Sequence, residues 1–238
     1  MNRILVAAAV LPALALIVYV CKADKLEKEP VGLLAKLVLS GVLATILALV
    51  SETVGDLILG VLHIRNQKLY NAIMFFIIVA ISEEGFKYLM LKKLSWNDAN
   101  FNCRFDGIVY SVCVALGFAV WENIAYVAQY GLSVAIARAV TAVPGHACFG
   151  VFMGAFYSAS KGCSLRGEAE KAKKYSRAAL FVPAVVHGLY DYVASAQTPL
   201  STLVFIVLIV AVFICAFKLL KKVSKNDGYF VPSYNEYL

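Results

Sequence analysis

Charge is what this sequence has least of. Only 16% of its 238 residues are charged, against roughly 25% in a typical soluble domain. A soluble fold of this length needs more polar surface than that to cover itself. Paired cysteines are missing too. Cys21, Cys103, Cys113, Cys148, Cys163 and Cys215 form no CxxC pair and no dense framework, which argues against a disulfide scaffold and a thiolate metal site. No Gly/Ser linker, repeat or low-complexity stretch divides the chain, and no HExxH helix or Ser/His pair marks a standard hydrolase. Disorder is excluded by what takes the place of charge, because 61% of the residues are hydrophobic and disordered chains are poor in such residues.

The apolar residues are gathered into runs. Spanning a bilayer takes about 20 residues, range 17–25, and seven runs qualify, at approximately 4–21, 32–50, 71–91, 106–129, 133–158, 179–195 and 200–217. The fold predicted is all-α, a polytopic integral membrane bundle of about seven helices. Residues 1–238 read as one membrane domain with its core at 71–195 and a short tail at 218–238, whose Tyr229, Tyr234 and Tyr237 suit a solvated or interfacial end. The first run has a single preceding charge, Arg3, and no small-x-small cleavage site after it, so it reads as a retained helix rather than a signal peptide. Residues 55–64 are apolar but too short to span, and are expected to form a re-entrant or interfacial piece near His63.

Basic residues set the orientation. The connections at 22–31, 92–105 and 159–178, with the tail, hold sixteen Lys and Arg; the other side holds Arg3, Arg65 and Lys68. The positive-inside rule then places the N-terminus outside and the C-terminus in the cytoplasm. The net charge of +7 is therefore a topology signal, and no nucleic-acid partner is implied.

Against that background the polar residues inside the runs stand out, since one charge at mid-membrane costs roughly 2.5–3.5 kcal/mol on insertion scales. The third run contains Glu83-Glu84-Gly85-Phe86-Lys87, the fourth Phe118 to Glu122, the fifth Pro144-Gly145-His146 and the sixth His187 to Asp191. At 1.5 Å rise per residue, Glu83 lies about 3 Å and Glu122 about 7 Å from the midpoints of their runs, with His146 and His187 near theirs. Residues at one depth on four helices can meet in one cavity. Glu83 and Lys87 are spaced i,i+4, and Glu84 and Lys87 i,i+3. His187 and Asp191 are also i,i+4, so the carboxylate can fix the ring's tautomer. Gly150 and Gly154 share a stripe with His146 and would let a neighbouring helix pack close. Each motif alone has a plain structural reading: an internal ion pair, a hydrogen-bonded core histidine, a packing phenylalanine. The set at one depth argues for a site.

In this order Glu-Glu-x-x-Lys, Phe-x-x-x-Glu and His-x-x-x-Asp resemble the motifs of the PrsW family of intramembrane proteases, with Arg138 and Pro144-Gly145-His146 similar to that family's fifth-helix element. Leu11-Pro12-Ala13, Glu29-Pro30 and Phe105-Asp106-Gly107-Ile108-Val109-Tyr110 also match. A more distant likeness is to the CAAX-processing and Abi-type membrane endopeptidases. The resemblance implies a multi-pass protease of the bacterial cell membrane that cuts a single-pass anti-sigma factor on its outer side. A second protease then cuts within the membrane and a sigma factor is released for stress responses.

Peptide hydrolysis needs a water, a base and donors for the oxyanion. Glu83 or Glu84 is the candidate base. Two adjacent buried carboxylates cannot both carry charge cheaply, and Lys87 steadies one of them. His187, oriented by Asp191, is the candidate donor, and His146 and Glu122 complete the pocket. No cofactor is favoured. A zinc ion held by His146, His187 and Glu83 or Glu122 is the chemical alternative. The same cluster would also suit a small proton- or ion-coupled transporter, although no paired halves of the transporter kind are visible. The substrate, the oligomeric state and the choice between the two glutamates stay open.

Overall fold

The computed structural model describes residues 3–230; Tyr234 and Tyr237 lie outside them. The helices are α1 (Arg3–Ala23), α2 (Val31–Leu62), α3 (Gln67–Ala72), α4 (Ala80–Ser95), α5 (Asp106–Tyr130), α6 (Leu132–Val140), α7 (Ala142–Leu165), α8 (Ala169–Ser195) and α9 (Pro199–Lys225). A π-helical turn, Ile73–Val79, joins α3 to α4 in one 29-residue stretch. Among the described residues there is no strand, only an isolated bridge between Cys103 and Tyr229. Among the described residues, seven helical stretches are long and apolar enough to cross a membrane, and they follow the seven runs. This is a multi-pass helical membrane protein.

Local chemistry sets the boundaries. Pro30 precedes α2, and His63 ends it in the left-handed conformation at φ 49°. The Asn66 side chain accepts the Lys68 and Leu69 N–H groups to start α3. Gly131, at φ 82°, makes the break between α5 and α6 that a residue with Cβ would resist. Thr198 and Ser201 form a capping box at the head of α9.

Three expectations are corrected. Residues 55–62 are the last turns of α2 and not a separate short piece. The polar stretch at 51–53 does not stop the helix, because Thr53 bonds back to the Leu49 carbonyl at 2.7 Å and Ser51 pairs with Ser82 at 2.9 Å. At 32 residues α2 is about 48 Å long, well over the roughly 30 Å of hydrocarbon. The fifth run is two helices, α6 and α7, parted at Thr141. The basic connection at 159–178 is mostly helix as well, since only residues 166–168 separate α7 from α8.

The centre of the bundle is α5, buried almost continuously from Asp106 to Ala119 and packed on α1, α2, α4 and α7. Small residues make that approach possible. A Cβ on Gly154 would stand 2.5 Å from the Ile108 Cα, and one on Gly150 3.0 Å from the Val112 Cα, the close crossing the glycine stripe predicts. Outward faces carry Leu39, Leu49, Leu203 and Val207, all more than half exposed, a surface suited to lipid. At the end where α5 begins, the α1–α2 turn folds its acids inward. Burial pushes the Asp24 carboxyl up to about 6 and that of Glu29 up to about 7.

Candidate active site

The polar residues of four helices meet. The Lys87 ammonium is 1% exposed and donates to Glu84 Oε1 at 2.8 Å, Glu83 Oε2 at 3.1 Å and His146 Nδ1 at 3.1 Å. It also lies 3.9 Å above the Phe118 ring, so that phenylalanine contributes a cation–π face as well as packing. An ammonium has no acceptor. His146 must therefore accept through Nδ1, and its Nε2–H donates to Glu122 Oε2 at 2.9 Å. Glu122 in turn holds Arg138 at 2.8 Å. Arg138 donates from Nε to Asn123 at 3.1 Å and stacks on Tyr126 at 4.0 Å.

His187 forms the other arm. Its Nδ1 is 3.0 Å from Glu84 Oε1, its Nε2 is 3.2 Å from Asp191 Oδ2 and 3.9 Å from Glu83 Oε2. Phe149 stacks on the ring at 4.8 Å and fixes its plane. Asp191 reaches the ring as its i,i+4 spacing predicts, but with Glu84 at the second nitrogen a carboxylate faces each side and Asp191 alone does not fix a tautomer. Gly188 allows this helix to sit tightly on the π turn, since a Cβ there would meet the Phe76 Cα at 3.0 Å. The π turn widens the stretch just before Glu83, with Ala80 N–H bonding to the Phe75 carbonyl, and such turns recur at functional sites.

These groups line a cavity of about 460 Å³. Glu83, Glu122, His146, His187 and Asp191 are on its wall; Glu84 and Lys87 stand behind it. The wall also includes Glu52 and Arg138. Arg138 enters the sequence reading only through the family resemblance, and Glu52 is missed altogether. Ending the second run at residue 50 put Glu52 in a connection, whereas the unbroken helix carries it into the cavity. Continuing the helical register through Ser51-Glu52-Thr53 would have found it. His63 lies away from this site, exposed at the end of α2.

A helical membrane bundle that gathers carboxylates, histidines and a lysine around a cavity has the groups of a hydrolase rather than those of a structural bundle. The comparisons specify which. The family description "PrsW family intramembrane metalloprotease" matches residues 29–217. The chain is 32% identical over 218 residues to "Protease PrsW" of Bacillus subtilis (strain 168), covering 91% of this chain and 93% of that protein. It is 32% identical over 193 residues to "Protease PrsW" of Geobacillus kaustophilus, covering 81% and 80%. "Protease PrsW" of Oceanobacillus iheyensis is 29% identical over 228 residues, covering 93% and 97%. No solved structure matches. The chain belongs to the PrsW family of intramembrane proteases. It is a peptide hydrolase with a membrane-protein substrate.

The family description includes a metal, so the donor atoms must be tested for one. Glu83, Glu84 and His146 offer ligand atoms within 4.8 Å of one another, and carboxylate and imidazole are suitable donors. The space between them is taken, however, because the Lys87 ammonium contacts all three. His146 Nδ1 accepts from Lys87, and both His187 nitrogens face carboxylates, Glu84 and Asp191, so neither ring offers a free lone pair to an ion shared with Glu83 or Glu122. As the side chains stand, the centre is a cation site filled by lysine and does not fit a metal.

Proposed function

We propose that Glu83 is the general base of a metal-free, glutamate-type peptide hydrolysis, with a single-pass anti-sigma factor as substrate. The observation that carries the choice of base is accessibility. Glu83 faces the cavity, whereas Glu84 is fully buried and holds both Lys87 and His187 on one oxygen. Water attacks the scissile carbonyl carbon as its proton passes to Glu83. His187 Nε2 stands 3.9 Å from Glu83 and 3.2 Å from Asp191, and its N–H turns from Asp191 to the oxyanion when substrate is bound. The C–N bond then breaks as the leaving nitrogen takes the proton from Glu83. Glu84 and Lys87 position this pair, and His146 with Glu122 and Arg138 forms the opposite wall.

The excess of Lys and Arg in alternate connections supports an orientation with the N-terminus outside. In that orientation Glu52, Tyr126, Arg138 and Ala194, all on the cavity wall, lie towards the outer face. This supports a cut on the outer side of the substrate, the first step in releasing a sigma factor.

The test is cleavage of a candidate anti-sigma factor by purified protein in detergent, wild type beside Glu83→Gln, before and after chelation. Glu83→Gln should lower the rate by about 10²–10⁴, the usual worth of a general base, and a zinc-selective chelator, with Ca²⁺ and Mg²⁺ present, should leave the wild type unchanged. Wild-type turnover in the variant removes Glu83 as the base. Activity lost to chelator and restored by zinc overturns the metal-free reading.

A further inference from the structure

A second group of acids lies at the other end of α5, away from the hydrolytic cavity. Asp24 and Glu29, from the turn between α1 and α2, meet Asp106 at the first residue of α5, with ligand atoms within 4.8 Å of one another. The three are 2%, 8% and 0% exposed. Glu29 Oε2 accepts the Tyr110 hydroxyl at 2.5 Å, and Asp106 Oδ2 accepts the Asn102 and Cys103 N–H groups at 3.0 and 2.6 Å. Each of the three nevertheless keeps one buried oxygen with no hydrogen-bond partner: Asp24 Oδ1, Glu29 Oε1 and Asp106 Oδ1.

Buried carboxylates are ordinarily paired or bound to a metal, so the contrast with the hydrolytic centre is informative. There a lysine fills the space between the acids. Here the neighbouring ammonium, Lys28, turns to backbone carbonyls, those of Cys21 at 3.0 Å and of Asp24. Asp227 follows the same pattern, with Oδ1 accepting the Phe105 and Gly228 N–H groups and Oδ2 buried and unpartnered. It belongs to the segment after α9, which bonds to the loop before α5 through Arg104 N–H to the Gly228 carbonyl and Phe230 N–H to the Asn102 carbonyl.

We propose that Asp24, Glu29 and Asp106 form a binding site for a hard divalent cation of the Ca²⁺ or Mg²⁺ class, separate from the hydrolytic cavity. The donors are carboxylate oxygens, which suit these ions and not a thiophilic metal. Bound there, the ion clasps the α1–α2 turn to the head of α5, the helix that carries Glu122 towards its other end. Its role is to hold that helix in place, with no part in peptide cleavage.

The experiment uses the full chain purified in detergent and freed of metal by chelation. Mn²⁺ serves as the probe, with the free ion followed by electron paramagnetic resonance and Ca²⁺ and Mg²⁺ added as competitors. One Mn²⁺ per chain is expected in the wild type and in Glu83→Gln/His146→Ala, with binding at least tenfold weaker in Glu29→Gln and Asp106→Asn. Because those variants can fold poorly, a second measurement uses the wild type alone: its melting temperature should rise when Ca²⁺ or Mg²⁺ replaces chelator. No stoichiometric binding together with no melting shift overturns the proposal. So does binding that vanishes in Glu83→Gln/His146→Ala but persists in Asp106→Asn, which would move the ion to the hydrolytic cavity. A chain stabilised by Glu29→Gln and indifferent to cations would mean that the acids share protons, and the proposal also fails.

Discussion

Replacing Lys87 with methionine keeps the length and most of the apolar volume of the stem and removes the ammonium. That nitrogen is 2.8 Å from Glu84 and 3.1 Å from Glu83 in a setting where lysine and both acids are almost wholly buried. At an effective dielectric near 20, each contact at this range is worth about 5–6 kcal/mol before desolvation is set against it. Desolvation cancels much of this, and breaking a buried ion pair from one side costs about 3–5 kcal/mol in practice. His187 still compensates Glu84 in the variant, at 3.0 Å, so about 3 kcal/mol is expected. The assay is denaturant unfolding in mixed micelles, with wild type, Lys87→Met, Glu84→Gln and the double variant forming a cycle. The double variant should recover part of the loss, with a coupling energy of about 2 kcal/mol, because its remaining groups carry less uncompensated charge. A Lys87→Met protein within about 1 kcal/mol of wild type would refute the idea that this ammonium is the counterion of the centre. So would a cycle with no coupling.

Lys87→Ala should take up one zinc per chain through Glu83, Glu84 and His146, whose donors stay close once the ammonium is gone; metal analysis of the purified variant beside wild type checks this. Gly154→Ala should cost about 1–3 kcal/mol by overpacking against α5. Gly60→Ala, with nothing within 4 Å of the added carbon, should be neutral or slightly stabilising, and melting temperatures of the pair test the close crossing. Arg138→Lys keeps the charge but loses the fork that holds Glu122 and Asn123 together. Cleavage should fall about tenfold and the melting temperature by several degrees, since one charged hydrogen bond is worth about 1.5–3 kcal/mol.

The number of spanning helices was legible because the membrane forces each one to announce itself as an apolar run. The same rule made the site legible: Glu83, Glu84, Lys87, Glu122, His146, His187 and Asp191 are costly where they stand, and the bundle brings all seven together. What failed was the assumption that a helix stops where its apolarity stops. Glu52 was lost on that account, as were the helical turns carrying Lys171, Lys173 and Lys174. Loss of apolarity does not by itself end a helix, and residues 51–53 hold no proline and no left-handed residue. The π turn at 73–79 has an ordinary apolar sequence, and the contact of Gly188 with Phe76 that seats it is long-range.

The roles of the two glutamates could not be separated by spacing, because both lie within reach of Lys87. The packing of α8 separates them. Once His187 projects from that helix over the head of α4, Glu84 Oε1 lies between Lys87 and His187. Glu83 is left at the cavity wall. The first acid of the motif therefore has access to water, and the second serves as the fixed anion that holds a lysine and a histidine in register around it. Exchanging their positions would need α4 rotated by roughly one residue, about 100° at 3.6 residues per turn, which would also carry Lys87 from its place between the acids and His146. In the proposed assignment, the division of labour between these adjacent, chemically identical residues is set by contacts with α8, a helix far away in sequence.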